Sequence, residues 1–165
     1  MAINHPPAIS QTVKRRKQKP ASPGRLVLGT IAAFTAIGGF LADWNKTHIF
    51  NPNWPPHAKF HDAMSITLGS FLGTTSLYFL LRKSRDEKQD LQLSVMLPAF
   101  FWMSMGTSYV FPGAKGLEAE FPNRVPRIGN FWVSENVAAA TMLTLLGIGY
   151  SLEHASLAQT KVEER

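Results

Sequence analysis

The 165-residue chain contains no cysteine. Disulfides, zinc–thiolate sites and cysteine nucleophiles are excluded, so exposed loops must be held by proline stiffness and packing. Charge is just as scarce over long stretches. Leu26–Ala42 runs 17 residues without a charged side chain, Ala63–Leu81 runs 19, Leu91–Ala114 runs 24 and Asn136–Leu152 runs 17. The last run extends back to Ile128 if Glu135 is included. The zinc-protease motif also lacks its glutamate, because Ala58-Lys59-Phe60 fills the interval between His57 and His61.

What is present explains those gaps. About 20 residues at 1.5 Å rise cross a ~30 Å hydrocarbon core. A soluble bundle would alternate polar and apolar faces along each helix. These runs carry Ser, Thr and Gly but no charge on any face, and the 45% apolar average hides them because the charges are segregated. The sequence predicts an all-α fold, a bundle of four transmembrane helices over about 26–44, 56–81, 91–111 and 128–152. Together they make one membrane domain, 25–154. Residues 1–24 read as a disordered basic tail, and 155–165 as a second tail. The first apolar run is long for a cleavable signal and reads as a retained anchor. Twelve of the 17 Lys and Arg fall in the N-terminal segment, the loop after the second helix and the C-terminal tail; five fall in the other two loops. The positive-inside rule then makes both termini cytoplasmic. The net charge of +6 follows from that topology. No base-stacking aromatics interleave with the basic residues, so no nucleic-acid partner is expected.

The chain is organised around Asn51-Pro-Asn-Trp-Pro-Pro-His-Ala-Lys-Phe-His-Asp62. Its prolines favour an extended first half and a helix from Pro55 or Pro56. In that helix His57 and His61 stand at i and i+4, on one face with Ser65, Gly69 and Gly73. Gly69-x-x-x-Gly73 and Gly38-Gly39 allow close helix approach. Pro98 predicts a kink, and the Met and aromatic stripe around Trp102 predicts packing. Trp44 suits an interfacial belt. Asn45-Lys46-Thr47 is a glycosylation sequon set so close to the membrane that it is expected to stay unmodified. Glu135 has two readings: an ionisable group inside a span, hence functional, or a first-turn residue of a helix starting near Val133, favoured by the dipole. Glu153 and His154 read as solvated terminus residues.

The helix ends away from the basic loops gather Asp43, His48, Asn51, His57, His61, Asp62 and Glu135. A His–carboxylate pair in a low-dielectric mouth can pass a proton to an alkene, epoxide or carbonyl. The candidates are His57 and His61 as proton donor or acceptor, with Asp62 or Glu135 as orienting partner. Asn51, Trp54, Trp132 and Tyr109 would contact substrate, the aromatic rings shielding a developing cation. Two histidines with one carboxylate could in principle hold Zn or Fe, but the weak spacing ranks this last, and no metal or cofactor is expected. The plainer reading is that the cluster ties two loops together and closes their hydrogen bonds.

The run from Asp43-Trp-Asn-x-Thr-His48 through Phe-Asn-Pro-x-Trp54-Pro-Pro-His57-Ala-Lys-Phe-His61 resembles an uncharacterised family of small four-helix fungal membrane proteins, sometimes labelled acetyltransferases, a label these residues do not support. The resemblance spans about Leu26–Leu152 and implies a fold and a membrane address more than a reaction. By architecture alone the chain is similar to the emopamil-binding-like sterol isomerases, which use intramembrane His and acidic residues. The expectation is a multi-pass protein of the endoplasmic reticulum, an isomerase- or cyclase-like enzyme acting on a terpenoid, sterol or polyketide-like metabolite. Its partners would be membrane lipids and that substrate. The alternative is a non-catalytic lipid-binding or scaffold protein for other membrane enzymes.

Overall fold

Local signals decide where each helix begins. The Ser22 hydroxyl accepts a hydrogen bond from the Arg25 N–H at 3.1 Å, and Pro23 occupies the first turn, where its missing N–H has no role. Helix α1 therefore runs Pro23–Asp43. Pro56 opens α2, Pro56–Leu81. The Asp86 side chain accepts from the Gln89 N–H at 3.0 Å and caps α3, Glu87–Thr107. Helix α4 runs Glu135–Glu163. The computed structural model describes residues 22–83 and 85–163. Most of the tail expected over 1–24 lies outside them; its last residues, Ser22 to Gly24, cap and open α1.

The expected bounds of the third and fourth helices need correction: α3 lies four residues earlier than 91–111, and α4 differs at both ends. The fourth helix does not begin at Ile128: Arg127–Ile128 (β1) pairs antiparallel with Phe131–Trp132 (β2) in a small hairpin. Gly129 turns it with φ +61°, a conformation that favours glycine, so a helix cannot pass through. Trp132 accordingly sits on a strand, and Glu135 is the first residue of α4. At the other end α4 continues past Leu152 to Glu163, because nothing after Leu152 breaks a helix.

Each helix packs on two neighbours around a ring: α1 on α2 and α4, α3 on α2 and α4, with a lesser α1–α3 diagonal. Glycine sets the α1–α2 crossing. A Cβ at Gly73 would collide with the backbone of Ala32 and Ala36, so only glycine lets α2 meet α1 there. The centre holds Leu28, Ile31, Leu80, Leu91, Trp102 and Leu146. Trp102 donates its indole N–H to Thr35 Oγ1 at 3.0 Å, bridging the diagonal. Pro98 lies inside a continuous α3. It cannot donate to the Ser94 carbonyl, four residues back. Ser76 of α2 supplies that hydrogen bond instead, Oγ to O at 2.5 Å. The polar bond that the helix loses is thus made between helices, as an apolar surrounding requires.

Among the described residues, three helical segments are long and apolar enough to cross a membrane: Pro23–Asp43, Pro56–Leu81 and Glu87–Val110. Large apolar side chains point outward along them, with Phe71 and Leu41 each 71% exposed.

Candidate functional site

At the end of the bundle where α1 finishes and α4 begins, the two long loops fold over the helices. The first loop ties itself down. The Asn45 Oδ1 accepts from the Thr47 N–H at 2.7 Å and the Thr47 hydroxyl at 2.6 Å, an Asx-type turn. Asn51 is buried, donating to the Thr47 carbonyl at 3.1 Å and accepting from the Asn53 N–H at 3.0 Å. These bonds present His48 and Trp54 side by side, the rings edge to face at 5.3 Å. His48 Nδ1 meets the Thr47 hydroxyl at 2.8 Å, and Nε2 lies 3.6 Å from Asp43 Oδ1.

The second loop supplies the opposite wall. Tyr109 donates its hydroxyl to Glu135 Oε2 at 2.6 Å, and the Leu117 N–H donates to Oε1 at 3.0 Å. Gly116 fits against this knot, since a Cβ there would press into Glu118, Glu135 and the Tyr109 hydroxyl together. Burial works against the Glu135 charge, but the bonds from Tyr109 and from backbone N–H groups outweigh it and hold the carboxyl below its ordinary value of 4.5. His48, Trp54, Tyr109 and Glu135, with Met105, Lys115 and Gly116, line an open cleft of about 280 Å³.

The candidates from sequence divide here. Glu135, Tyr109 and Trp54 come together in the cleft. His57 and His61 do not line it: they are exposed on the first turns of α2, their Nε2 atoms 3.1 Å apart, with His57 stacked on Phe60. Helix spacing put the two imidazoles on one face, but that face turns away from the cleft. Asn51 serves its own loop, and Trp132 lies under the Arg127 guanidinium at 4.9 Å. Asp62 is half-buried, and its Oδ2 is enclosed without a hydrogen-bond partner among the described residues. Among the described residues no group of three His, Asp or Glu side chains could hold a metal ion.

Two roles were misassigned in the sequence. His48 was gathered with the titratable cluster but not named as a proton donor or acceptor, although its closeness to Asp43 in the Asp43-Trp-Asn-x-Thr-His48 motif was the available signal. Glu153, read as solvated, is 4% exposed. It accepts from the Ser22 hydroxyl and pairs with Arg25 Nε at 3.4 Å, fastening α4 to the start of α1. Nearby, Asp90 is also 4% exposed and forms a two-pronged pair with Arg82. Hydrogen bonding to Asp90, and secondarily to Tyr78, raises the Arg82 pKa beyond its already high value.

The described residues are mostly helical, and three of their helices are long and apolar enough to cross a membrane. The chain belongs to the DUF6640 family, a family of unknown function, whose match covers residues 27–163. No curated protein and no solved structure matches it.

Proposed function

We propose that this chain is a four-span membrane protein whose cleft performs acid–base chemistry on a lipophilic metabolite, in the manner of an isomerase or cyclase. The observation that carries the reading is the meeting of two oriented proton-handling groups on one cleft. His48 is steered by Asp43 and Thr47, and Glu135 by Tyr109 and the Leu117 N–H. An acid and a base held by fixed partners around a space of about 280 Å³ can take a proton from one carbon and return it to another. Trp54 and Tyr109 offer faces that would stabilise positive charge developing between these steps.

The membrane address is supported by the outward-facing apolar side chains, a surface that water would penalise at this extent. Helix α4 is shorter in apolar length, with its charge-free part at 136–152. It nevertheless packs on α1 and α3, with Glu135 beside Tyr109 and Glu153 beside Ser22, so it accompanies the bundle from end to end. If the other three cross a bilayer, so does α4. The basic residues near Ser22, Arg82 and the C-terminus then face the cytosol, and the endoplasmic reticulum is the address that fits this orientation.

Cells lacking the protein, complemented with the wild-type chain, Glu135→Gln or His48→Ala, test the chemistry by metabolite profiling. The reading expects a lipophilic metabolite restored by wild type and lost, with accumulation of its isomeric precursor, in both variants. Full restoration by both would leave the rival, a lipid-binding or scaffold role.

A further inference from the structure

The cleft does not use the second cluster of titratable groups, at the opposite end of the bundle. There the sequence reads Ser22-Pro23-Gly24-Arg25. Ser22 has extended backbone, φ −64° and ψ 154°, and a half-buried side chain. Its hydroxyl has two jobs: it accepts from the Arg25 N–H and donates to the Glu153 carboxylate. Arg25, 40% exposed at its side chain, pairs with the same carboxylate. Behind them the helices touch backbone to backbone, since a Cβ at Gly24 would strike Glu153 and Gly149. Glu153 therefore has its charge balanced by one hydroxyl and one guanidinium, in a crossing with no room to move.

We infer that Ser22 is a phosphorylation site for a proline-directed serine kinase, and that the phosphate unlocks the α1–α4 crossing by competing with Glu153 for Arg25. Ser22 is extended while Pro23 to Arg25 form the first turn of α1, and fraying of that terminal turn presents the Ser-Pro-x-Arg sequence that such kinases accept. The γ-phosphoryl of a nucleoside triphosphate passes to Ser22 Oγ; the bond to the departing diphosphate breaks, and the hydroxyl proton leaves to solvent through the kinase's base. The product carries close to two negative charges and three acceptor oxygens at the head of α1. The helix dipole favours that charge, so α1 stays capped. The phosphate competes with Glu153 for Arg25 because it carries close to two negative charges and three acceptor oxygens where the carboxylate carries one charge and two oxygens. Glu153 then loses both its donor and its cation while still buried, and a buried unpaired carboxylate is driven toward water. The end of α4 from Glu153 onward separates from α1, leaving the cleft end untouched.

A cytosolic position for Ser22 rests on the proposed topology, but the chemistry is tested on the purified full chain in detergent, where topology has no part. Incubation with a proline-directed kinase and ATP should add one phosphoryl group, mapped to Ser22 by mass spectrometry and absent from Ser22→Asn, which keeps the cap without the hydroxyl. The phosphorylated chain should melt several degrees lower than the unmodified one and be cut faster by trypsin at Lys161. In Glu153→Gln, which has no charge to expel, phosphorylation should leave melting and cleavage unchanged. Absence of phosphate at Ser22, an unchanged melting temperature, or an equal drop in Glu153→Gln would each overturn the inference.

Discussion

At the end of the bundle where α1 starts, Glu153 and Asp90 are each buried and each met by an arginine. At the other end Glu135 is held by a phenol and a backbone N–H, and Asp43 lies near a histidine. One oxygen each of Asp62 and Glu118 has no hydrogen-bond partner among the described residues. Full-charge pairing fastens helices, although Arg25 Nε, 3.4 Å from Glu153, makes no hydrogen bond among the described residues. Acids steered by neutral or titratable partners beside an open cleft keep their proton affinity adjustable, which is where chemistry is expected. The two ends therefore differ in how their acids are held.

The largest effect should come from breaking a charge pair at the closed end. Arg25→Ala strips Glu153 of its cation while Ser22 remains, and should cost about 1–3 kcal/mol in denaturant unfolding of the detergent-solubilised chain. Metabolite output per folded molecule should not change. Tyr109→Phe, at the cleft, removes one hydrogen bond from a half-exposed carboxylate and should cost about 1 kcal/mol at neutral pH. Because the folded Glu135 carboxyl lies below 4.5, the stability it adds is fully present above pH 4.5 and is lost as the pH falls through the folded value. Acid titration of Tyr109→Phe should show a smaller loss in that window than wild type; an equal loss would mean that Tyr109 does not hold the charge. The smallest effects belong to His57→Ala and His61→Ala, exposed and outside the cleft, which should stay within about 0.5 kcal/mol of wild type. They should also complement fully where His48→Ala fails, and a reversed order would return the site to α2.

The helices were legible because long charge-free runs and the first-turn proline of α2 act locally, while the Ser22 and Asp86 caps went unread and the starts of α1 and α3 were placed late. Gly69-x-x-x-Gly73 correctly marked the seam against α1, where Gly73 has no space for a side chain. The cleft was harder to read. Trp54, Tyr109 and Glu135 could be named as polar or aromatic groups near helix ends, but which imidazole joins them depends on loop folding. Helical spacing drew attention to His57 and His61, while His48 reaches the cleft through an Asx-type turn and the burial of Asn51. The β1–β2 hairpin was invisible to periodicity because each strand has two residues. The Ser76 bond to the carbonyl that Pro98 leaves free joins residues far apart in sequence, and only packing reveals it.

The absence of native cysteine makes the central claim directly measurable. Lys115→Cys, at the cleft, and Arg85→Cys, between α2 and α3 at the far end, can each be labelled in sealed, oriented membrane vesicles with a maleimide that cannot cross the bilayer. The account predicts that the intact vesicle surface labels one of these cysteines and shields the other until the membrane is opened. Equal labelling of both from the same side would contradict a bundle that spans the bilayer with its cleft and its paired charges on opposite faces.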